Sequence, residues 1–386
     1  MMTKKLLVEG WRGINHSYAM VNQYQLLELK KHYFELYHND APFYRPNWNP
    51  IQSFSGFNEH VINEIESMPS LRQDILPDIT YRISFPYNLA PAKSERLFVY
   101  GTSEYQTINR DMLILEEGVR KYRDIPLTMI VPSKWSKEGF LNAGFAEEQI
   151  RIVPHGVDLS IFRPLDADLR ARYRGLLGAD EHSFVILSLG GMYQNKGIDI
   201  LLSAYIELKR KYPQLRLVLK DQSNLYGITA NSIVNQYCQK KNISITSSHM
   251  QNVFSGIVCI TDNLNLEQLN GLYGAADCYI SPYRAEGFNL PPLEAAACGT
   301  PIIVTKGGST DDYFDQCLGA QIESKLVTKE NMTQLDPSLD SLMDSIEHLI
   351  ANPQANGRCE KSREFLSNGW SWGHVTNKLI EIFNKS

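Results

Sequence analysis

The sequence predicts an α/β protein built from two doubly wound parallel sheets. Short apolar runs alternate with stretches of helical periodicity along most of the 386 residues. That pattern is the signature of parallel strands joined by right-handed helical crossovers. The alternation starts twice, near Lys5 and near Phe184, and a charged stretch at Pro164–Ala179 separates the two series. Hydrophobic residues make up 43% and charged residues 21%, an ordinary globular balance that can fill two cores without a disulfide or metal staple.

In the first series, Lys5–Glu9 reads as a strand, and Met20, Tyr24 and Leu27 recur at helical spacing. Leu97–Tyr100 and Leu127–Val131 are the next strands. Ser133 is the expected N-cap of a helix opening at Lys134-Trp135. The proline- and aromatic-rich stretch Asn39–Ser55 reads as a long loop. The run Arg151–Pro154 ends in the turn His155–Asp158.

In the second series, Phe184–Leu189 reads as a strand ended by Gly190-Gly191. Ile198, Leu201, Leu202, Tyr205 and Leu208 then mark one face of a helix. Leu215–Leu219 and Phe254–Ile260 are strands, and Leu266, Leu269, Leu272 and Tyr273 line a helix. Cys278–Ser281 is a strand, Leu293–Cys298 a helix and Ile302–Thr305 a strand. The last helix, Ser371–Lys385, carries Val375, Leu379, Ile382 and Phe383 on one side.

A net charge of −5 removes the global positive field that nucleic-acid partners require. No apolar run approaches the roughly 18 residues of a membrane span. The apolar stretch after Lys5 is too short for a signal-peptide core, so the expected location is cytoplasmic. The six cysteines form no Cys-x-x-Cys pair and read as reduced, buried thiols.

The most informative stretch is Ser281–Ala295, SPYRAEGFNLPPLEA, which joins a strand end to a helix start. Gly287 permits a tight turn, and Pro291 and Pro292 suit the first helical turn. The amides of Phe288, Asn289 and Leu290 then face outward, as at an anion-binding helix end. Glu286 lies on the loop and Glu294 one turn inside the helix, too far offset for an acid/base dyad. Lys196 precedes Gly197, and Lys220 stands at the carboxyl end of a strand, where parallel sheets bind ligands. Near the start, Gly10–Ser17 makes a strand-to-helix turn with Gly13 placed for close backbone approach. Asp166-Ala167-Asp168 reads as capping and first-turn acids, with no metal role.

The 281–295 stretch resembles the E-x7-E signature of retaining glycosyltransferases of family 4. Further resemblances are Pro132–Ser136 to "P-S-x-x-S", and Ile152–Asp158 with Phe162 and Pro164 to "V-I-P-N-G-V-D…F-x-P". Gln268–Asp277 is similar to "E-L-x-x-L-Y-x-x-A-D", Gly299–Ile303 to "G-x-P-V-I/V", and Gly307-Gly308 to "G-G". Together these cover about residues 130–320. The resemblance implies the GT-B fold: two Rossmann-like domains facing a cleft, with a C-terminal helix crossing back. The implied domains are an acceptor-binding domain at 1–165, joined by the 368–386 helix, and a donor-binding domain at 166–367.

The resemblance also implies roles. Glu294 would hold ribose hydroxyls and Glu286 the donor sugar. Phe288, Asn289 and Leu290, with Gly287, would cradle the distal phosphate. Lys196 would meet the diphosphate. Gly13, Gly191 and Thr261 complete the expected donor set. Arg12, His16, Ser103 and Glu104 are the acceptor-side candidates. Two departures stand out. The family pattern G-R-x-x-x-x-K-G puts Gly191 where an arginine belongs, and Lys220 is the expected substitute. The functional histidine that many relatives carry near Thr102 is missing, and Ser103 or Glu104 would fill its place. The implied function moves a hexose from a UDP- or GDP-sugar to a sugar, glycan or lipid-linked acceptor, without metal or cofactor. Many relatives use lipid-linked acceptors, so peripheral contact at the inner membrane face goes with the resemblance. The rivals are a GT-B-fold sugar-nucleotide epimerase and a non-catalytic nucleotide-sugar-binding protein.

Overall fold

The structure, a computed structural model, describes residues 3–50, 55–243, 248–352 and 358–385. It divides into two units: residues 1–156 with 330–332 and 369–386, and residues 157–329 with 333–368. Residues 157–165 pack within the second unit. Phe162 meets the ring of Tyr273 at 5.9 Å, and Arg163 donates its amide to Asn270 Oδ1 at 2.9 Å.

The first unit holds strands β1 (Lys4–Gly10), β2 (Phe34–Asp40), β3 (Ile79–Ile83), β4 (Tyr87–Asn88), β5 (Arg96–Tyr100), β6 (Leu113–Ile114), β7 (Thr128–Val131) and β8 (Ile150–Ile152). Six of them form one sheet in the order β2-β1-β3-β5-β7-β8, and every pairing is parallel. The helix Ser17–Leu29 links β1 to β2, and Lys134–Ala143 links β7 to β8. The second of these opens on Ser133, whose hydroxyl accepts the Ser136 amide at 3.0 Å. The final helix, Trp372–Asn384, belongs to this unit. Trp372 stacks on Tyr24 at 4.8 Å, and Phe383 packs against Phe98 at 4.8 Å and Tyr81 at 5.6 Å. Both side chains are buried, which contributes about 1.5–3 kcal/mol each to holding the helix.

The second unit holds β9 (Phe184–Gly190), β10 (Leu215–Asp221), β11 (Ile257–Ile260), β12 (Cys278–Ser281), β13 (Ile302–Thr305) and β14 (Gly319–Ile322). They form an all-parallel sheet in the order β11-β10-β9-β12-β13-β14. A two-stranded sheet, β15 (Ser324–Lys329) and β16 (Met332–Pro337), follows. The core sits where the Ile198–Lys211 and Leu339–Ala351 helices cover one face, with Leu201, Leu202, Leu217, Leu342 and Ile346 fully buried. The expected strand Phe254–Ile260 is shorter than its apolar run. Ser248–Phe254 is a helix and the strand starts at Ile257. The strand order reverses between β9 and β12, and in open parallel sheets ligands bind beside such a switch.

Among the described residues, no helix is long and apolar enough to cross a membrane.

Candidate functional site

The loops after β9 and β12 leave the sheet on either side of that switch. Gly197 ends the first loop at φ +69° and caps the Ile198–Lys211 helix. A Cβ there would lie 1.9 Å from the Pro282 carbonyl oxygen, so only glycine lets the two loops approach this closely. Three side chains then stitch them together. Asn195, buried, donates Nδ2 to Ala285 O at 2.9 Å, and its own carbonyl accepts the Arg284 amide at 2.6 Å. Arg284 grips Asp199 with two nitrogens at 2.7 and 2.9 Å and donates to Gln194 O at 3.1 Å.

This clamp brings Lys196 Nζ onto Glu286 Oε1 as an ion pair. The Glu286 side chain is 9% exposed and the Lys196 side chain 24%, so solvent screens the pair only partly. After Glu286 the chain turns through Asn289 at φ +69°. Asn289 donates Nδ2 to Ser281 Oγ at 3.0 Å, and its carbonyl accepts the Tyr313 hydroxyl at 2.8 Å. The Phe288 ring is buried against Tyr313 at 5.2 Å, so any role in anion binding falls to its backbone. The helix Pro291–Ala297 has only seven residues, with proline in its first turn as expected. An anion here would be held by the turn amides more than by a long-helix dipole.

Glu294 receives a hydrogen bond from the buried Tyr273 hydroxyl at 2.7 Å. Burial pushes its carboxyl up to about 7, and the Tyr273 bond offsets part of that rise. Glu286 and Glu294 therefore keep separate partners and form no dyad. Lys220, 5% exposed, pairs in register with Leu189 at the end of β10 and donates to the Asp221 carbonyl. Burial lowers its pKa, while Asp221 and Asp262 pull it back up. Gly191 carries no charge, and a Cβ there would meet the ring of Tyr226 at 3.1 Å and that of Tyr193 at 3.2 Å. Thr261 is exposed just past β11. Asp166 caps the Ala167–Leu176 helix through the Leu169 amide at 2.7 Å, and Asp168 lies in its first turn. Among the described residues, no group of three or more His, Cys, Asp or Glu side chains could hold a metal.

The first-unit candidates divide. Arg12 and Gly13 line a cavity described below. Gly13 sits at φ +81° and donates its amide to Gln23 Oε1 at 2.9 Å. The structure places His16 at a helix start: its Nδ1 caps the Ser17–Leu29 helix through the Tyr18 amide, and its ring packs on Trp11, Tyr18 and Trp48. Burial and nearby Arg45 lower its pKa to about 3, which keeps it neutral. Ser103 is also turned onto its own loop. It is buried, accepts the Thr107 amide at 2.8 Å and donates to Thr107 O at 3.1 Å, a staple across its own loop. Glu104 is exposed, and its carbonyl accepts the Trp135 indole at 2.7 Å.

Sequence reasoning missed Asn195, Asp199 and Arg284 as the clamp, and Tyr273 as the partner of Glu294. Arg284 left a signal, since it is the one cation in a loop otherwise rich in proline, glycine and aromatics.

Residues 170–361 match the family model described as Glycosyl transferases group 1. A D-inositol 3-phosphate glycosyltransferase from Segniliparus rotundus is 32% identical over 184 residues, covering 46% of this chain and 36% of that protein. An MMP alpha-(1->4)-mannosyltransferase from Mycolicibacterium hassiacum is 28% identical over 274 residues, 70% of this chain and 57% of that one. The chain thus spans about a third to three fifths of the length of these curated relatives. Among solved structures, a glycosyltransferase from Rickettsia africae superposes with a TM-score of 0.70 at 13% identity, covering 100% of this chain and 99% of that one. Anabaena HepE, in complex with UDP and glucose, gives 0.65 at 14%, with 99% and 100% covered, and these likenesses carry the GT-B fold. With its doubly wound sheet and motif-bearing loops, the stretch 170–361 of the second unit belongs to the group 1 glycosyltransferases.

Proposed function

We propose that the protein is a retaining glycosyltransferase that moves a hexose from a UDP- or GDP-sugar to a sugar, glycan or lipid-linked acceptor in the cytoplasm. One observation carries the reading: the Lys196–Glu286 pair, clamped beside the strand-order switch of the second sheet, with the Glu294 carboxyl one turn into the next helix. A cation, a sugar-binding acid and a ribose-binding acid stand in the order a nucleotide sugar would need.

In this reading the donor lies on the second unit. Glu294 accepts hydrogen bonds from ribose hydroxyls, and Glu286 accepts them from the hexose. The acceptor hydroxyl attacks the anomeric carbon on the face from which the diphosphate leaves. The new C–O bond forms as the bond to phosphate breaks, the acceptor proton passes to the departing phosphate oxygen, and configuration is retained. Lys196, Lys220 and the amides at 288–290 stabilise the charge that develops on the diphosphate. Such preplaced donors contribute about 3–4 kcal/mol each in the transition state. That charge supply makes the step independent of a metal ion.

The test is incubation with a panel led by UDP- and GDP-hexoses, reading free nucleotide and the anomeric configuration of the product by NMR. Nucleotide release with a retained anomer supports the reading. Interconversion of the sugar without nucleotide release, or an inverted product, refutes it.

A further inference from the structure

The first unit contains a cavity of about 470 Å³ beside the carboxyl ends of β1 and β2. That size is typical of small-molecule clefts. We propose that this cavity is the acceptor subsite and that it selects an uncharged polyhydroxyl acceptor over a phosphorylated one. The proposal rests on the transferase reading above for the word acceptor. The binding chemistry stands on the cavity itself.

Six residues define that chemistry: Arg12, Gln23, Asp40, Phe43, Ile65 and Glu66. Arg12 is the cation in the wall, and all three of its nitrogens are engaged. Nε and Nη2 bond the two Asp40 oxygens at 2.7 and 3.0 Å, and Nη1 donates to Ile65 O at 2.8 Å. Glu66 is exposed and has no ion-pair partner among the described residues, so the wall is anionic overall. A phosphate would meet that negative charge and would have to draw Arg12 away from Asp40. His38 lies behind Asp40, with Nδ1 at 3.7 Å, and adds no positive charge. It is fully buried, and burial and Arg12 lower its pKa to about 4 against the pull of Asp40.

The same wall suits neutral hydroxyls. The Asp40 side chain is 62% exposed, and its carboxylate retains lone pairs for incoming O–H donors. Gln23 is 2% exposed. Its Oε1 is occupied by the Gly13 amide, while Nε2 contacts only Met20 Sδ, at 3.7 Å. One amide donor is therefore held in place with spare capacity. Phe43 and Ile65 supply apolar surface for the C–H face of a sugar ring. Acceptor, donor and apolar plate together match a pyranose or cyclitol. The relative named for D-inositol 3-phosphate makes the contrast testable.

The experiment is saturation-transfer NMR on the full chain. Probes are methyl α-D-mannoside, methyl α-D-glucoside and myo-inositol, against mannose 6-phosphate, glucose 6-phosphate and inositol 3-phosphate. At least one neutral probe should bind saturably, with its phosphorylated counterpart about tenfold weaker or worse. Asp40→Asn frees Arg12 and should shrink that ratio about tenfold. Glu66→Gln, on the exposed end of a helix, should shrink it without disturbing the fold. Absence of binding by every neutral probe, equal binding of phosphates, or a ratio unmoved in both variants overturns the proposal. UDP and GDP binding is followed in the same samples. Sugar discrimination without nucleotide binding upholds the cavity and sinks the transferase reading, and nucleotide binding without discrimination does the reverse.

Discussion

Nucleotide affinity should depend on pH through a single carboxyl. Glu294 has its pKa pushed up to about 7 by burial, so in the ligand-free protein it is near its titration midpoint at neutral pH. Ribose hydroxyls bond best to the ionised form. The ionised fraction rises from about 10% at pH 6 to about 90% at pH 8, so the affinity for uridine or guanosine should rise about ninefold. Nucleosides are the better probes, because nucleotide phosphates titrate near pH 6 themselves. Glu294→Gln keeps the side-chain length and removes the titration. Replacing charge-assisted bonds by neutral ones should cost about 1–3 kcal/mol at pH 8, about 5- to 150-fold in Kd, and flatten the pH profile. Isothermal calorimetry at pH 6, 7 and 8 measures both. Stability moves the other way. A carboxyl whose folded pKa lies above its ordinary 4.5 favours the folded state most below pH 4.5 and loses that contribution as pH rises through about 7. The ligand-free wild type should thus lose melting temperature between pH 5 and 8 relative to Glu294→Gln. If wild type and variant bind with the same affinity and the same pH slope, Glu294 does not touch the ribose and the donor site is misplaced.

Four further outcomes are expected. Lys196→Ala should reduce kcat about 10²- to 10³-fold with a smaller change in nucleotide Kd, as steady-state kinetics beside calorimetry will resolve. Gly197→Ala forces a Cβ against the Pro282 carbonyl at positive φ, costing about 2 kcal/mol or more and lowering Tm by about 4–8 °C in a thermal melt. Asp168→Ala should leave the nucleotide-induced thermal shift unchanged, because that side chain only lies in the first turn of the Ala167–Leu176 helix. Chelator added to the transferase assay should leave the rate unchanged.

The fold was legible wherever strands are buried on both faces. β9, β12 and β13 are near-continuous apolar runs, and their neighbouring helices carry clean periodicity. β2 escaped because it is an edge strand, Phe-Glu-Leu-Tyr-His-Asn-Asp, whose acids sit at the solvent-facing margin. β3 escaped because Arg82 interrupts it, its charge met by Glu9 at 2.8 Å on the neighbouring strand. The site followed the same logic. Glu286, Glu294 and Lys196 sit in local patterns that a sequence displays. The clamp does not, because Asn195 and Arg284 are 89 positions apart and meet only when β9 and β12 lie side by side. Ser103 and His16 show partners that the sequence reading did not expect. Both hydrogen-bond to main chain within four residues, and short polar side chains at loops do that more often than they face a ligand.

Gly191 shows how a missing charge can be part of a built site. An arginine there would need a Cβ 3.1 Å from the Tyr226 ring, and Tyr193 closes the other side in a T-shaped pair with Tyr226 at 5.4 Å. The space is already occupied by aromatic surface, so restoring the family's arginine requires moving two rings. Lys220 stands beside Leu189, two positions before Gly191, on the adjacent strand. Its ammonium is buried and turned onto the Asp221 carbonyl, so using it on a diphosphate means exchanging one oxygen partner for another. Lys196 faces the same exchange with Glu286. Each cation is neutralised or hydrogen-bonded by the protein itself, which limits the cost of burying it. On the proposed reading, donor binding would replace those internal partners with phosphate oxygens and free Glu286 for sugar hydroxyls. The net gain in affinity is a difference between two well-satisfied states, and the larger gain comes only when negative charge develops on the leaving diphosphate.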